Sequence, residues 1–202
     1  MSAITILDYI GVFAFSISGV LAASGKKLDL FGGFIVAFVT ALGGGTLRDI
    51  LLDAPLTWTI HTEYIYIVIA GLVFALVFKN TVARFRKTMF LFDTIGISLF
   101  TVLGVEKALA LNMPVEIAVM FGAMTATFGG VIRDILCNEI PLVFRKEIYA
   151  MACVLGAVVY IIGSKAGLPP IANVFISGSV IMAIRTWSVL KKFSLPVIND
   201  AI

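Results

Sequence analysis

Two aspartates and two Arg-Asp pairs lie inside long apolar stretches of the chain. Asp8 and Asp93 stand near the starts of such stretches, and Arg48-Asp49 and Arg133-Asp134 near the ends of others. An ionised side chain at the centre of a membrane helix costs roughly 2.5–3.5 kcal/mol, so one that is kept faces the interior, with a partner, and marks a pathway or a clamp. Glycines precede both pairs, as Gly43-Gly44-Gly45 and Gly129-Gly130. Each costs a helix about 1 kcal/mol relative to alanine, so a run favours a kink or a break. In lipid, broken backbone survives only where protein or a water-filled cavity covers it. Carbonyls freed there could replace part of a cation's hydration shell. Glycine equally serves close packing between helices. The hydroxyls of Ser16, Thr40, Thr101 and Thr125 could line an ion pathway or bond to their own helix carbonyls. The chemistry on offer is transient coordination of a cation. No resident metal and no cofactor are expected.

The elements that hold these groups must be membrane helices. The 202 residues are 60% hydrophobic and 13% charged, against roughly 45–50% and about 25% in soluble domains. A bilayer core of ~30 Å needs about 20 mostly apolar helical residues. The expected spans are 4–24, 30–52, 64–78, 89–105, 117–137, 148–164 and 166–184, with a basic linker at 79–87. The third is short. Pro169-Pro170 lie near the start of the seventh, where proline costs a helix least. The first reads as a retained helix rather than a cleaved signal, because no basic region precedes it and Asp8 interrupts it.

The pattern repeats at a constant offset of 85 residues. Asp8, Gly11, Phe15 and Gly19 recur as Asp93, Gly96, Phe100 and Gly104. Thr40, Gly44, Gly45, Arg48 and Asp49 recur as Thr125, Gly129, Gly130, Arg133 and Asp134, and Ser16 falls opposite Thr101. Tyr64 and Gly71 recur as Tyr149 and Gly156. Apolar composition alone would not align two Arg-Asp pairs without a gap. Each repeat holds three spans, an odd number, so the second enters the membrane upside down. The expected fold is all-α, integral to the membrane, with seven transmembrane helices: repeat one at 4–80, repeat two at 89–164 and a seventh helix at 166–190, in a single transmembrane domain. Inverted repeats characterise transport proteins, with the pathway at the repeat interface. A structural bundle without transport is the bland alternative.

Loop charges orient the chain. Eleven Lys and Arg fall on one side and only Lys107 and Lys165 on the other, with Arg48 and Arg133 inside spans. The positive side is cytoplasmic, which puts the C-terminus inside the cell and the N-terminus outside. Depth then pairs Asp8 with Arg48 near the outer face and Asp93 with Arg133 near the inner one. Neighbours along a helix do not face each other, so Arg48 need not bond to Asp49. These four charges, with Asp49 and Asp134, form either a charged gate or two packing clamps.

Several classes are excluded. The sequence has no nucleophile elbow, no His-Glu-x-x-His and no phosphate loop, so no enzyme is expected. A net charge of +3 with the basic residues in loops makes nucleic acid a poor partner. One histidine, His61, and two cysteines, Cys137 and Cys153, have no metal-ligand spacing; the cysteines read as buried hydrophobes.

The doubled signature Gly-Gly-Gly-Thr-Leu-Arg-Asp at 43–49 and Gly-Gly-Val-Ile-Arg-Asp at 129–134, on a doubled three-helix unit, resembles the prokaryotic TRIC family of trimeric intracellular cation channels. The same sequence grouping includes the bacterial glycine-transporter-like (UPF0126) membrane proteins. The resemblance implies a homotrimer in the inner or plasma membrane, in contact with membrane lipid, with one pore per subunit between kinked second and fifth helices. It implies passage of potassium and other monovalent cations, with potassium or sodium as the permeant ion. Animal relatives carry a Lys-Glu-Val signature where they bind phosphoinositide; this sequence has none. A secondary transporter of a small amino acid such as glycine is the alternative, since broken inverted repeats serve carriers too. A non-transporting scaffold is a third reading.

Overall fold

A computed structural model of the chain describes residues 3–78, 88–145 and 148–191. The basic linker at 79–87, Lys146 and Lys192 lie outside the described residues. The described residues form α1 (Ala3–Ala23), α2 (Leu30–Leu51), α3 (Glu63–Val77), α4 (Thr88–Ala110), α5 (Val115–Leu136), α6 (Ala150–Lys165) and α7 (Pro170–Lys191). A single helical turn, Thr57–Ile60, precedes α3, and a 3-10 turn, Leu142–Phe144, precedes α6. Five of the helices are long and apolar enough to cross a bilayer; α3 and α6 have 15 and 16 residues. At 1.5 Å per residue these two span about 22–24 Å, less than the ~30 Å hydrocarbon core.

Local chemistry sets the helix ends. Asp29 caps α2, its carboxylate accepting from the Gly32 amide at 2.7 Å. Pro170 is the first residue of α7, where its missing N–H removes no intrahelical bond. Four non-glycine residues take left-handed backbone conformations: Lys27, Asp53, Asn112 and Asn138. They are two pairs at the repeat offset, so the turns recur along with the helices.

The packing shows the inversion directly. A β-carbon built on Gly44 would lie 2.1 Å from the Thr125 carbonyl oxygen, and one on Gly129 would lie 2.3 Å from that of Thr40. The two contacts are the same contact with the repeats exchanged, and they make α2 and α5 antiparallel. Phe15 of α1 covers Gly96 of α4 while Phe100 of α4 covers Gly11 of α1, the rings 5.1 Å apart. The all-helical, inverted-repeat architecture read from the sequence is therefore the one the chain adopts. The seventh helix has no counterpart in the first half. Gly71 of α3 packs on Ser16 of α1, but its repeat mate Gly156 of α6 packs on Ile181 of α7.

The molecule is apolar outside and polar inside. Phe31, Tyr66, Val77 and Met120 are two-thirds exposed or more, as a lipid-facing surface requires. Asp93, Arg133, Thr40, Asn173 and Ser177 are buried. Cys137 and Cys153 are free and buried.

Two helices depart from expectation by more than two residues. α4 runs to Ala110 rather than to 105, and α7 runs from Pro170 to Lys191 rather than from 166 to 184. Lys107 and Arg185, counted among the loop charges, are thus inside helices. Each is neutralised there, Lys107 by Asp49 and Arg185 by Asp93, both through a short ion pair. A paired charge does not end a helix.

Candidate functional site

Two charge clusters flank the crossing of α2 and α5, one built by each repeat. The first lies where α2 ends. The Arg48 guanidinium bonds to Asp49 through Nε at 2.8 Å and Nη2 at 2.7 Å. The Lys107 ammonium reaches the same Asp49 oxygen at 2.8 Å and donates to Thr57 Oγ1 at 3.1 Å. The other Asp49 oxygen accepts from the Thr57 amide at 3.1 Å and hydroxyl at 2.9 Å. Asp8 accepts a hydrogen bond from the Tyr64 hydroxyl. Asp8, Tyr64, Gly45, Arg48, Thr57 and Thr125 all line one cavity of about 30 Å³. A water needs roughly 10–15 Å³, so the cavity has room for about two.

The second cluster lies where α5 ends and is closed. Arg133 Nη1 donates to Asp93 and to Ser18 Oγ, both at 2.8 Å, and its Nε donates to Asp134 at 2.8 Å. The second Asp134 oxygen accepts from the Leu142 amide at 3.0 Å, as Asp49 accepts from Thr57. Asp93 has a second partner, Arg185 Nη1 of α7 at 2.9 Å. The Arg185 guanidinium lies against the rings of Tyr149 and Phe90, 4.5 and 5.0 Å from their centroids. Asp93 and Arg133 are 0% exposed. Two cations face two carboxylates, so the cluster is neutral, as burial demands.

The two expected cross-helix pairs therefore fare differently. Asp93 bonds to Arg133 as anticipated. Asp8 and Arg48 share a cavity at the same depth but do not bond; Tyr64 holds Asp8 and Asp49 holds Arg48. The adjacent pairs Arg48-Asp49 and Arg133-Asp134 do bond, against the expectation that neighbours face apart. The arginine stem is long enough to fold back along the helix surface, and each aspartate also closes the turn that follows its helix.

The glycines do not break their helices. α2 and α5 are continuous α-helix through Gly43-Gly44-Gly45 and Gly129-Gly130. Propensity costs about 1 kcal/mol per glycine, whereas each backbone hydrogen bond left unmade in hydrocarbon costs several. The hydrogen bonds win. Gly44 and Gly129 instead let the two backbones touch. A β-carbon on Gly43 would come nearest the tip of Ile132, one on Gly45 the Arg48 guanidinium, and one on Gly130 the Tyr149 hydroxyl. The hydroxyls of Thr40, Thr101 and Thr125 bond to carbonyls one turn earlier in their own helices, and that of Ser16 to the Val68 carbonyl of α3.

The sequence profile of a family described as Glycine transporter matches the chain twice, over residues 5–80 and 90–165. The chain belongs to that family. The inner membrane protein YadS of Escherichia coli K12, a UPF0126 protein, is 35% identical over 94% of the chain and 93% of its own length. A UPF0126 membrane protein of Vibrio cholerae is 38% identical over 78% of the chain and 66% of its own length. Solved TRIC structures share the fold. One, described as the structural basis for conductance through TRIC cation channels, is 34% identical with a TM-score of 0.87, each chain covered in full. The trimeric intracellular cation channel orthologue from Rhodobacter sphaeroides is 31% identical with a TM-score of 0.89, over 96% of this chain and all of that one. Both groupings that the doubled signature resembled are thus found. The chain is a multi-pass membrane protein of this family.

Sequence reasoning missed Arg185, Lys107 and Ser18 as parts of the clusters. Arg185 carried one readable signal: a helical period from Asn173 through Ser177, Gly178 and Ile181 reaches it on the same buried face. Lys26 and Glu139 form a further pair, at 2.6 Å, between the loops after α1 and α5, and Arg145 adds to it at 3.0 Å. The hydrogen bond from Lys26, then its charge, and then Arg145 hold the Glu139 carboxyl below the usual glutamate range. A depressed carboxyl favours the folded arrangement above its unfolded pKa, and that preference is lost as pH falls through the folded value. An NMR titration should therefore show the Glu139 midpoint below that of free glutamate, and rising in Lys26→Gln; equal midpoints in the two proteins count against the bridge.

Proposed function

We propose that this protein is a cation channel permeable to potassium, with a pathway in each subunit of a homotrimer along the seam between α2 and α5. The observation that carries the reading is full-length likeness to solved TRIC cation channels. The seam offers a small cavity with room for water beside Asp8, which supplies a carboxylate for a cation, while Arg48 and Arg133 narrow the route on either side of the crossing. Ser16, Thr40, Thr101 and Thr125 stand beside the route as polar wall. No step needs a cofactor or a covalent change. The chain is oriented with the N-terminus outside and the C-terminus in the cytoplasm, since the basic loops retain their bias without Arg185 and Lys107. Purified protein in a planar bilayer should give unitary potassium currents; smooth, saturable flux without unitary steps rejects a channel. A cysteine placed at the exposed turn residue Asn112 should react from outside the cell and one at Lys191 from inside. Labelling of both from one side contradicts the orientation.

A second reading is a carrier of a small zwitterion such as glycine. Asp8 and Arg48 favour it, because opposite charges on one cavity wall suit an ammonium and a carboxylate on one small molecule. Saturable uptake of labelled glycine into proteoliposomes, abolished in Asp8→Asn, distinguishes it.

A further inference from the structure

The two halves hold the same set of residues in two different arrangements. In the first half the Tyr64 hydroxyl bonds to Asp8, and no arginine among the described residues bonds to that aspartate. In the second half the matching Asp93 is taken by Arg133 and Arg185. The matching Tyr149 hydroxyl is buried and without a hydrogen-bond partner among the described residues, as is Arg133 Nη2. A buried unpaired hydroxyl costs free energy and needs a reason. Its ring lies directly under the guanidinium that occupies Asp93. Arg185 comes from α7, the one helix the first half lacks.

We infer that Asp93 is a two-position switch: Arg185 and Arg133 hold it closed, and Tyr149 takes it when Arg185 withdraws, giving the second half the open arrangement that Tyr64 and Asp8 already show in the first. Arg185 and Tyr149 are positioning residues that act through Asp93. The inference rests on the pathway proposed above for its purpose, but the switch itself is a matter of geometry. In inverted-repeat transport proteins one repeat rocks or gates against the other around a fixed site. Here the unrepeated helix decides which end is shut. Asp93 keeps one charge-assisted partner at least in each state, so the exchange never strands a bare carboxylate. Gly130 leaves the space this requires, since a β-carbon there would lie 2.9 Å from the Tyr149 hydroxyl.

The native thiol of Cys153 reports the state of this end without any need for current. It is buried one turn beyond Tyr149, its Sγ 3.6 Å from the Tyr149 carbonyl oxygen. In a Cys137→Ala background, the rate at which a small water-soluble methanethiosulfonate modifies Cys153 is measured in proteoliposomes. Arg185→Gln should raise the rate at least about tenfold, the scale of one charge-assisted hydrogen bond. Tyr149→Phe should lower it below that of the parent protein while leaving the melting temperature the same or higher, because the hydroxyl it removes has no partner in the closed state. A rate unchanged in Tyr149→Phe, or raised in both variants, overturns the switch. Should Arg185→Gln fail to assemble, Tyr149→Phe still decides. Potassium flux in the same proteoliposomes separates the two readings: rates that shift as expected with no flux in any protein reject the channel and keep the switch.

Discussion

Alanine at Gly44 or Gly129 is expected to separate α2 from α5 and to cost about 3 kcal/mol or more in each case, the upper end for overpacking a tight interior. The new methyl group would meet backbone oxygen at 2.1 Å in one case and 2.3 Å in the other. Neither obstacle is a side chain that can turn aside. The double variant should cost less than twice the single, because helices already parted by one methyl group accommodate the second; neighbouring sites couple in this way. Gly45→Ala is the control. The nearest atom a β-carbon there would meet is the flexible Arg48 guanidinium of the same helix, at 3.7 Å, so alanine should be neutral or gain up to about 1 kcal/mol from helix propensity. Thermal unfolding in detergent, with size-exclusion chromatography for assembly, measures all four. Gly44→Ala melting with the parent protein would show that the backbones do not touch. An intact bundle with reduced conductance would instead favour the glycines as hinges.

Asp93→Asn should be among the most damaging single changes to the polar interior, and Asp8→Asn among the mildest, although the two positions are repeat mates. Asparagine at 93 leaves Arg133 and Arg185 buried with only Asp134 to balance them. Removing one partner of a buried ion pair costs about 3–5 kcal/mol. Asparagine at 8 keeps an acceptor for Tyr64 at the edge of a cavity with room for water, so the loss should be about 1 kcal/mol or less. Removing the excess cation as well, in Asp93→Asn with Arg185→Gln, should recover part of the loss. Yield, assembly and melting temperature of the three variants test this asymmetry. Equal losses at positions 8 and 93 would mean that Arg185 does not take part.

The asymmetry also shows where sequence reading stops. The offset of 85 residues names Asp8 and Asp93 as equivalents, and by covalent pattern they are. Their surroundings differ because α7 packs against α4 and α6, and among the described residues nothing comparable packs against α1 and α3. Read along the sequence, Arg185 falls in a loop, because a charge conventionally ends an apolar run. That rule fails when a partner waits at the same depth on another helix. The glycine runs were read as breaks because three poor helix formers stand together. Propensity is the smaller quantity in lipid, and the same residues proved to be points of contact.

By itself the sequence determined the solvent, the helices, the repeat and its inversion. These follow from composition, from runs long enough to cross hydrocarbon, and from an odd number of spans between matching signatures, all of which are properties of the chain read in order. It also determined which polar groups must find partners, since no ionised side chain is left bare in lipid. Only the tertiary structure decided which partner each one has. Asp93 chose Arg133 and Arg185, Asp8 chose Tyr64, and Arg48 chose its neighbour, among candidates that the sequence places at similar depth. The reason is physical: depth is a one-dimensional quantity that spacing along a helix encodes, whereas pairing depends on rotation and closest approach between helices. Those are fixed by contacts such as Gly44 on Thr125 and by a seventh helix that no repeat predicts.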